Sequence, residues 1–241
     1  MHKFIDMILF FSIYSFMGWA MESIFAVIKE RKFINRGFLT GFFCPIYGFG
    51  AVIIIQSSKW VFSIFGNHYA GPMVNILLAV ILVTVLEYIT GFLLERIFNC
   101  KWWDYSSDAL NFHGYICLKY SLLWGLLSFL LMQVVHPVIL RTVSLIPANV
   151  KSHLAIFLLL YFMADTVKSV GDALDLRNVI LNYSNISVNG YYKKIIRYKR
   201  LFLAFPRLLI LNAGIINLDI RSILNDRMDK LKVKLKSKFL L

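Results

Sequence analysis

The chain has 241 residues, of which 59% are hydrophobic and 16% are charged, and its mean hydropathy is +0.69. This composition excludes a soluble globular domain of average composition and indicates an integral membrane protein. The formal net charge of +13 is typical of Lys and Arg in cytoplasmic segments beside anionic headgroups, and we expect no nucleic-acid partner.

The chain lacks the short motifs of several enzyme classes. It contains no Walker A loop, no GxSxG, no GxGxxG and no SxxK, so we do not expect it to hydrolyse nucleotide or to carry a serine nucleophile. Its cysteines, Cys44, Cys100 and Cys117, are odd in number and without CxxC or zinc-type spacing, which predicts neither a disulfide framework nor a metal site. The sequence identifies no cofactor.

The first predicted span covers about residues 4–28, which is long enough to cross the hydrocarbon core. Glu22 interrupts this apolar run and no cleavage site follows it, so we expect the run to stay as a helix rather than to be removed as a signal peptide. Four cations follow at once in Lys29, Arg31, Lys32 and Arg36. The positive-inside rule places this loop in the cytoplasm and the N-terminus outside.

Four further spans are predicted. The second begins near Phe38 or Phe42 and runs past Ile55, and the third covers about 69–98 and ends inside. An interfacial segment at 102–108, with two Trp and a Tyr typical of a headgroup anchor, leads into a fourth span that reaches about residue 140. We interpret His136-Pro137 as the outer end of that helix, and we place a fifth span at about 152–171.

The chain becomes basic after the fifth span. From residue 189 onward it has thirteen Lys or Arg against three Asp. An apolar run at 201–218 is interrupted by Pro206 and Arg207, and we interpret it as interfacial or docked on the cytoplasmic face. The predicted fold is therefore all-α, a polytopic transmembrane helix bundle of about five spans (1–180), followed by a basic cytoplasmic helical tail (181–241) that meets anionic lipids.

Residues 35–50 are unusually polar for a position between two apolar runs. They include Asn35, Arg36, Cys44, Tyr47 and four glycines. Irregular backbone beside hydrocarbon is tolerated only where protein covers it or where it lines a watered cavity. We therefore predict that this stretch forms one wall of the functional site.

The predicted topology places almost all intramembrane acids near one membrane face. Glu22, Glu87 and Glu95 lie near the inner ends of their spans, and Asp165, Lys168 and Asp172 lie on one face of the fifth span. A lone charge at depth costs at least about 2.5 kcal/mol. We therefore expect these groups to pair, to stay protonated, or to face one polar cavity that opens to the cytoplasm.

Several of these residues have a second interpretation. Glu95 and Asp172 fit side chains whose carboxylates reach interfacial water, and Asp165 with Lys168 fits a structural ion pair. Cys44 fits either a nucleophile or a small buried thiol. His113 fits a metal ligand, a proton shuttle or neither, since no HExxH-like spacing accompanies it.

A series of ordered motifs resembles the bacterial membrane family of type IV ABC-transporter permeases. The resemblance covers roughly residues 11–130. It rests on Gly18-Trp19 with Glu22, Asn35-Arg36-Gly37-Phe38-Leu39, Cys44-Pro45-Ile46-Tyr47-Gly48-Phe49-Gly50, Glu87, Thr90-Gly91, Leu94-Glu95, Trp102-Trp103-Asp104-Tyr105-Ser106, Asn111, Gly114, Ile116-Cys117-Leu118 and Trp124-Gly125. The resemblance implies a transport component that works with a separate ATPase subunit on the cytoplasmic side.

Two functions follow as hypotheses. In the first, the protein is a transport component of the bacterial cytoplasmic membrane, with its C-terminus inside, whose cytoplasm-facing cavity binds a small solute or lipid headgroup. In the alternative it is an intramembrane enzyme that acts on a lipid-linked or amphipathic substrate, with Glu22 or Glu87 as acid or base and Arg36 clamping an anionic group. The predicted substrate-binding residues are Glu22, Asn35, Arg36, Cys44, Tyr47, Glu87, Glu95, Trp103, Asp104, Tyr105 and His113.

Overall fold

The structure is a computed structural model that describes residues 2–66, 70–181, 198–205 and 208–210. The described chain is an α-helical bundle, as the composition predicted. Its helices are α1 (His2–Glu30), α2 (Pro45–Phe65), α3 (Ala70–Phe98), α4 (Leu118–Leu130), α5 (His136–Ser144), α6 (Ala148–Leu181) and α7 (Lys199–Ala204). A π-helical turn (Leu131–Val135) joins α4 to α5 without a break.

Five helices of the described chain are long and apolar enough to cross a membrane. They cover Lys3–Glu30, Pro45–Phe65, Gly71–Phe98, Leu118–Ser144 and Ala148–Asn178. Each is at least as long as the roughly 20 residues that a span requires. The prediction of a polytopic bundle with about five spans is confirmed.

The second span begins later than predicted, at Pro45 rather than near Phe38 or Phe42. Gly37 has a φ of 130°, a conformation that other residues rarely adopt, and Cys44 is extended with φ −116° and ψ 92°. Proline is favoured at the first helical position because its φ is already helical and its missing N–H needs no partner there. The stretch before Pro45 is therefore a loop, which we call the site loop (residues 31–44).

The fourth span ends later than predicted, because the helix passes through His136-Pro137 and continues to Ser144. In a regular α-helix a proline ring clashes with the carbonyl four residues earlier, here that of Gln133. That residue lies within the π-helical turn, where backbone hydrogen bonds reach five residues back. The altered turn accommodates the proline, so His136-Pro137 is not the helix end.

Helix α6 is longer than the predicted span at 152–171, since it runs from Ala148 to Leu181. Its last turns are held by an apolar cluster, cluster 1, that collects residues from several elements at the same end of the bundle. Its buried members are Phe98, Cys100, Trp102, Ala173, Leu176, Tyr198, Leu201 and Leu208. Burial of Ala173 and Leu176 in cluster 1 accompanies the continuation of the helix beyond the predicted end at residue 171.

The described part of the tail packs against this end of the bundle, which we call the site end. Helix α7 contributes Leu201 to cluster 1, and strand β4 (Leu209–Ile210) pairs with β1 (Cys100–Lys101) after α3. A second small pair, β2 (Asn111–Phe112) with β3 (Ile116–Cys117), forms a hairpin before α4. The rest of the predicted basic tail lies outside the described residues, and the domain boundary at residue 180 stays a prediction.

Candidate functional site

The site loop is held in place by a carboxylate from α6. Asp165 accepts hydrogen bonds from the backbone N–H groups of Thr40 (3.0 Å) and Gly41 (2.9 Å). The Thr40 N–H also lies 2.9 Å from Ser169 Oγ, one turn further along α6. A carboxylate that accepts backbone N–H groups makes strong, charge-assisted bonds. Asp165 therefore binds the loop backbone. Among the described residues no salt bridge joins it to Lys168, whose side chain is exposed, so the ion pair that was one of two interpretations of these residues is not formed.

A guanidinium from the tail binds the same loop through its carbonyl groups. Arg200 of α7 donates to the carbonyl oxygens of Gly37 (3.1 Å), Phe38 (3.1 Å) and Leu39 (3.0 Å). Burial lowers the pKa of Arg200, while the charge of Asp172 opposes this shift. The loop backbone thus gives its N–H groups to Asp165 and its carbonyls to Arg200.

Asn35 and Arg36 connect the site loop to α1 and to α7. Asn35 Oδ1 accepts from Trp19 Nε1 (2.7 Å), and Asn35 Nδ2 donates to the Thr40 carbonyl (2.9 Å). Arg36 Nη1 donates to the Ala204 carbonyl (3.0 Å). Arg36 Nε is buried and has no acceptor among the described residues.

Cys44 is a buried thiol at the end of the loop. Its Sγ lies 3.6 Å from the Arg36 carbonyl, and its N–H donates to the Ser15 carbonyl (2.9 Å). Burial, and then the charge of Glu22, raise the pKa of Cys44 to about 12. A thiol in this environment is protonated at neutral pH, so the geometry fits the packing interpretation of Cys44.

Glu22 of α1 and Tyr47 of α2 form a short hydrogen bond in which the Tyr47 hydroxyl donates over 2.6 Å. The close approach depends on Gly18, one turn before Glu22, because a Cβ at that position would overlap the Tyr47 ring. Residues four apart lie on one helical face. One face of α1 therefore supplies both the carboxylate and the space for its partner.

Glu87 of α3 is only 4% exposed and accepts two hydrogen bonds. Trp124 Nε1 of α4 donates to Oε2 (3.0 Å), and the Tyr105 hydroxyl donates to Oε1 (3.3 Å). Burial, and then the Glu87 charge, raise the pKa of Tyr105 well above its usual value, so the phenol stays a donor. The Tyr105 ring stacks on Tyr120 at 4.6 Å.

An aromatic contact joins the two carboxylates. The Tyr47 and Trp124 rings meet edge to face with centroids 5.5 Å apart, so Glu22 and Glu87 are linked through the side chains that donate to them. We call Glu22, Tyr47, Glu87, Tyr105 and Trp124 the acidic site. Its residues come from α1, α2, α3, α4 and the segment before β2.

The remaining predicted residues form a separate group around the β2–β3 hairpin. Trp103 Nε1 donates to the Tyr115 carbonyl (2.8 Å). Burial, and then a side-chain hydrogen bond in which Glu95 accepts from the Tyr115 hydroxyl, raise the pKa of Tyr115 to about 12. Asp104 lies 3.7 Å from Lys101 Nζ. His113 is exposed and shares a hydrogen bond with Tyr88 (3.1 Å). Glu95, Trp103, Asp104 and His113 thus stabilise a hairpin beside the acidic site.

Neither of two small cavities in the described chain lies at the acidic site. One of about 20 Å³ includes Asn75 and Gln133 in its lining, and the other, of about 10 Å³, includes Gln56 and Lys59. The polar cavity predicted at the acids stays a prediction. Among the described residues no group of three His, Cys, Asp or Glu is arranged to hold a metal ion.

Two important residues were missed as site residues. Trp124 was named only as part of the family resemblance. An indole inside the membrane needs an acceptor for its N–H, and this need was a signal that an acidic side chain lies nearby. Arg200 lies 161 to 163 residues from the carbonyls it binds, and no local sequence signal reports so distant a contact.

The family of the chain follows from comparison with known proteins. Residues 9–170 match the family described as "Putative ABC-transporter type IV", which is more than half of the chain. The chain belongs to this family. With five candidate spans among its described residues, this family member is a multi-pass membrane protein of the ABC-transporter class. No solved structure matches the chain, and α7 and β4 lie beyond the residues that the family match covers.

Proposed function

We propose that the protein is the membrane component of a transporter, whose acidic site binds a small solute or lipid headgroup from the cytoplasmic side. The observation that carries the proposal is the link between Glu22 and Glu87 through Tyr47 and Trp124. Ionisable groups inside a membrane bundle are costly and commonly mark a substrate or ion pathway. Here four helices (α1 to α4) and the segment before β2 each contribute one residue to the acidic site.

The charges at the site favour a ligand with particular chemistry. The donors to Glu22 and Glu87 are neutral, and no Lys or Arg of the described chain lies within 4.0 Å of either carboxylate. A buried anion without a cation is stabilised by a positively charged partner. Arg36, whose N–H donates to Ser23 beside Glu22 (3.4 Å), offers its buried Nε to an anionic group. A solute or headgroup that carries both an amine and an anionic group fits these two features.

The proposed orientation is supported by the cations at the end of α1 and in the site loop. By the positive-inside rule, Lys29, Arg31, Lys32 and Arg36 favour a cytoplasmic site end in a bacterial cell, with the N-terminus outside and the C-terminus inside. A separate ATPase subunit would bind at this face, and the basic residues beyond 189 would meet anionic lipids.

The proposal is tested by affinity purification from native membranes. Proteomics of the eluate detects an ATPase subunit, and native mass spectrometry detects bound small molecules. We expect wild type to retain an ATPase and a ligand, and Glu22→Gln/Glu87→Gln to lose the ligand but keep the ATPase. Glu30→Gln, an exposed acid at the end of α1, is the control and should keep both. If the ligand is retained by the double variant, the acidic site does not bind it; if no ATPase is found with wild type, the transporter assignment fails.

The enzyme alternative is favoured by one observation, the burial of Glu87 against a phenol and an indole. A carboxylate in apolar surroundings suits acid–base chemistry near neutral pH. If the bound molecule from wild type is a modified lipid whereas Glu87→Gln carries the unmodified form, the enzyme alternative replaces the transport proposal.

A further inference from the structure

A buried histidine lies in the half of the bundle opposite the acidic site. His136 is 7% exposed, and its Nδ1 is 2.9 Å from the hydroxyl of Tyr14, which is 4% exposed. His136 follows Trp124 by twelve residues, about 18 Å along the helix, and Tyr14 precedes Glu22 by eight, about 12 Å. The two residues therefore meet well away from the site end.

The surroundings of the imidazole are largely apolar. Phe10 contacts it edge to face, with ring centroids 5.2 Å apart, and the neighbouring residues form a second apolar cluster. The buried members of this cluster are Leu9, Phe10, Tyr14, Ala51, Ile55 and Val143. An ionisable side chain is costly to bury inside a membrane bundle, and such residues commonly mark a functional site. An uncharged side chain could have served equally well as the hydrogen-bond partner of the Tyr14 hydroxyl.

The backbone before His136 is also unusual. The π-helical turn Leu131–Val135 ends directly at His136, whose N–H donates to the Leu131 carbonyl. Such turns are rare and are frequently found at functional sites. The turn and the buried imidazole are independent observations at one position, and together they distinguish it from an ordinary core contact.

Charged groups in this half of the bundle come from three helices. Lys59 of α2 interacts electrostatically with the imidazole, and it lines the cavity of about 10 Å³ together with Phe10 and Gln56. That volume is close to the minimum that holds a water molecule. Further along, Asp6 of α1 and Lys151 of α6 form an ion pair of 2.8 Å, so their charges largely cancel.

We propose that His136 and Tyr14 form a proton-binding site, separate from the acidic site. The neutral imidazole accepts the Tyr14 hydrogen bond at Nδ1 and takes up a proton from water. As an imidazolium it donates at both nitrogens, so the Tyr14 oxygen becomes the acceptor and its O–H must turn to another partner. Tyr14, Gly18 and Glu22 are spaced four residues apart on one face of α1. A rearrangement at Tyr14 can therefore be transmitted along this packed face toward Tyr47 and Glu22.

The test is a histidine titration by NMR on the full-length protein in lipid nanodiscs, with ¹⁵N-labelled histidine and with His136→Gln to assign the signal. We expect His136 to take up a proton reversibly as the pH is lowered, under conditions where circular dichroism shows an intact fold. Tyr14→Phe should move the midpoint by about half a pH unit or more, an approximately threefold change in proton affinity. His153, an exposed histidine near the start of α6, should not respond to this variant.

Tyr88→Phe is the matched control, because Tyr88 has the same hydroxyl contact with a different histidine, His113, at the surface. It should leave the midpoint of His136 unchanged. The proposal is overturned if His136 stays neutral down to about pH 5, if it takes up a proton only as the helices unfold, or if Tyr14→Phe leaves its midpoint unchanged.

Discussion

At the scale of single residues, the structure resolves how two intramembrane acids are tolerated. Glu87 is satisfied by the donors of Tyr105 and Trp124, and Glu22 by that of Tyr47. Aromatic residues suit this role because each combines a large apolar surface with one polar group. The acids are therefore part of the packing as well as of the proposed site.

Replacing Glu87 by Ala should destabilise the bundle more than replacing it by Gln. Alanine leaves the Tyr105 and Trp124 donors buried without an acceptor, at about 1–3 kcal/mol each, whereas glutamine keeps one acceptor oxygen. Thermal unfolding in detergent should show a larger fall in Tm for Glu87→Ala than for Glu87→Gln. The control Glu30→Ala changes an exposed acid and should leave Tm nearly unchanged; equal Tm values for all three would contradict the assigned hydrogen bonds.

Cys44 should resist alkylation in the folded protein. With a pKa raised to about 12 by burial and by Glu22, less than about one thiol in a thousand is ionised at pH 8, and the thiolate is the reactive form. Mass spectrometry after maleimide treatment at pH 8 should find Cys44 unmodified, and modified after denaturation. Rapid modification of the native protein would restore the nucleophile interpretation.

At the scale of elements, α1 and α2 approach closely where glycines replace larger side chains. Close approach of this kind drives helix association in membranes, where apolar burial adds little. Gly18 lies against Tyr47, and a Cβ at Gly48 would meet Ser15 Oγ. These contacts position the Tyr47 hydroxyl at Glu22.

Gly18→Ala should disturb this contact. Overpacking typically costs about 1–3 kcal/mol, which exceeds the gain in helix propensity of about 1 kcal/mol. Gly171→Ala is the matched control, since a Cβ there meets no atom within 4 Å. In thermal unfolding, Gly18→Ala should lower Tm while Gly171→Ala leaves it equal or higher. A Tm for Gly18→Ala at or above that of wild type would show that α1 and α2 separate easily.

Arg200 should act as a positioning residue for the site loop. Arg200→Ala removes three hydrogen bonds to the carbonyls of Gly37, Phe38 and Leu39, and bonds to charged groups contribute about 1.5–3 kcal/mol. Hydrogen exchange measured by mass spectrometry should become at least about tenfold faster for the amides of residues 37–43. Lys168→Ala, which removes an exposed cation from α6, should leave that exchange unchanged. The assignment is wrong if both variants exchange like wild type.

At the scale of the whole molecule, the acidic site and the His136–Tyr14 pair are both built between helices. The acidic site lies at the site end, and the His136–Tyr14 pair lies toward the opposite end, with α1 common to both. The described tail segment closes the site end through cluster 1 and through Arg200. The continuous helix from α4 through the π-helical turn to α5 also contributes to both, with Trp124 at one and His136 at the other. A change at either site can therefore reach the other through the packing of α1 or along this helix.

The proposed orientation predicts which loops face the cytoplasm. In a chain without its native cysteines, Arg31→Cys at the site end should react with a membrane-impermeant maleimide only in inside-out vesicles. Leu145→Cys, an exposed position between α5 and α6 that is 77% exposed, should react only in right-side-out vesicles. The reverse labelling pattern would place the acidic site at the outer face and would remove the basis for a cytoplasmic ATPase.

The sequence by itself determined the number and approximate place of the spans, because a membrane crossing is a local property of about 20 apolar residues. It also singled out the polar stretch 35–50 and the acids Glu22 and Glu87, because a polar residue within an apolar run can be recognised without knowing its spatial neighbours. Only the tertiary structure decided that α2 starts at Pro45 and that the fourth span continues through Pro137. It alone showed that Asp165 and Arg200, 124 and 163 residues away from loop groups they bind, hold the site loop. Contacts of this kind depend on how helices pack, and no local pattern in the chain encodes them.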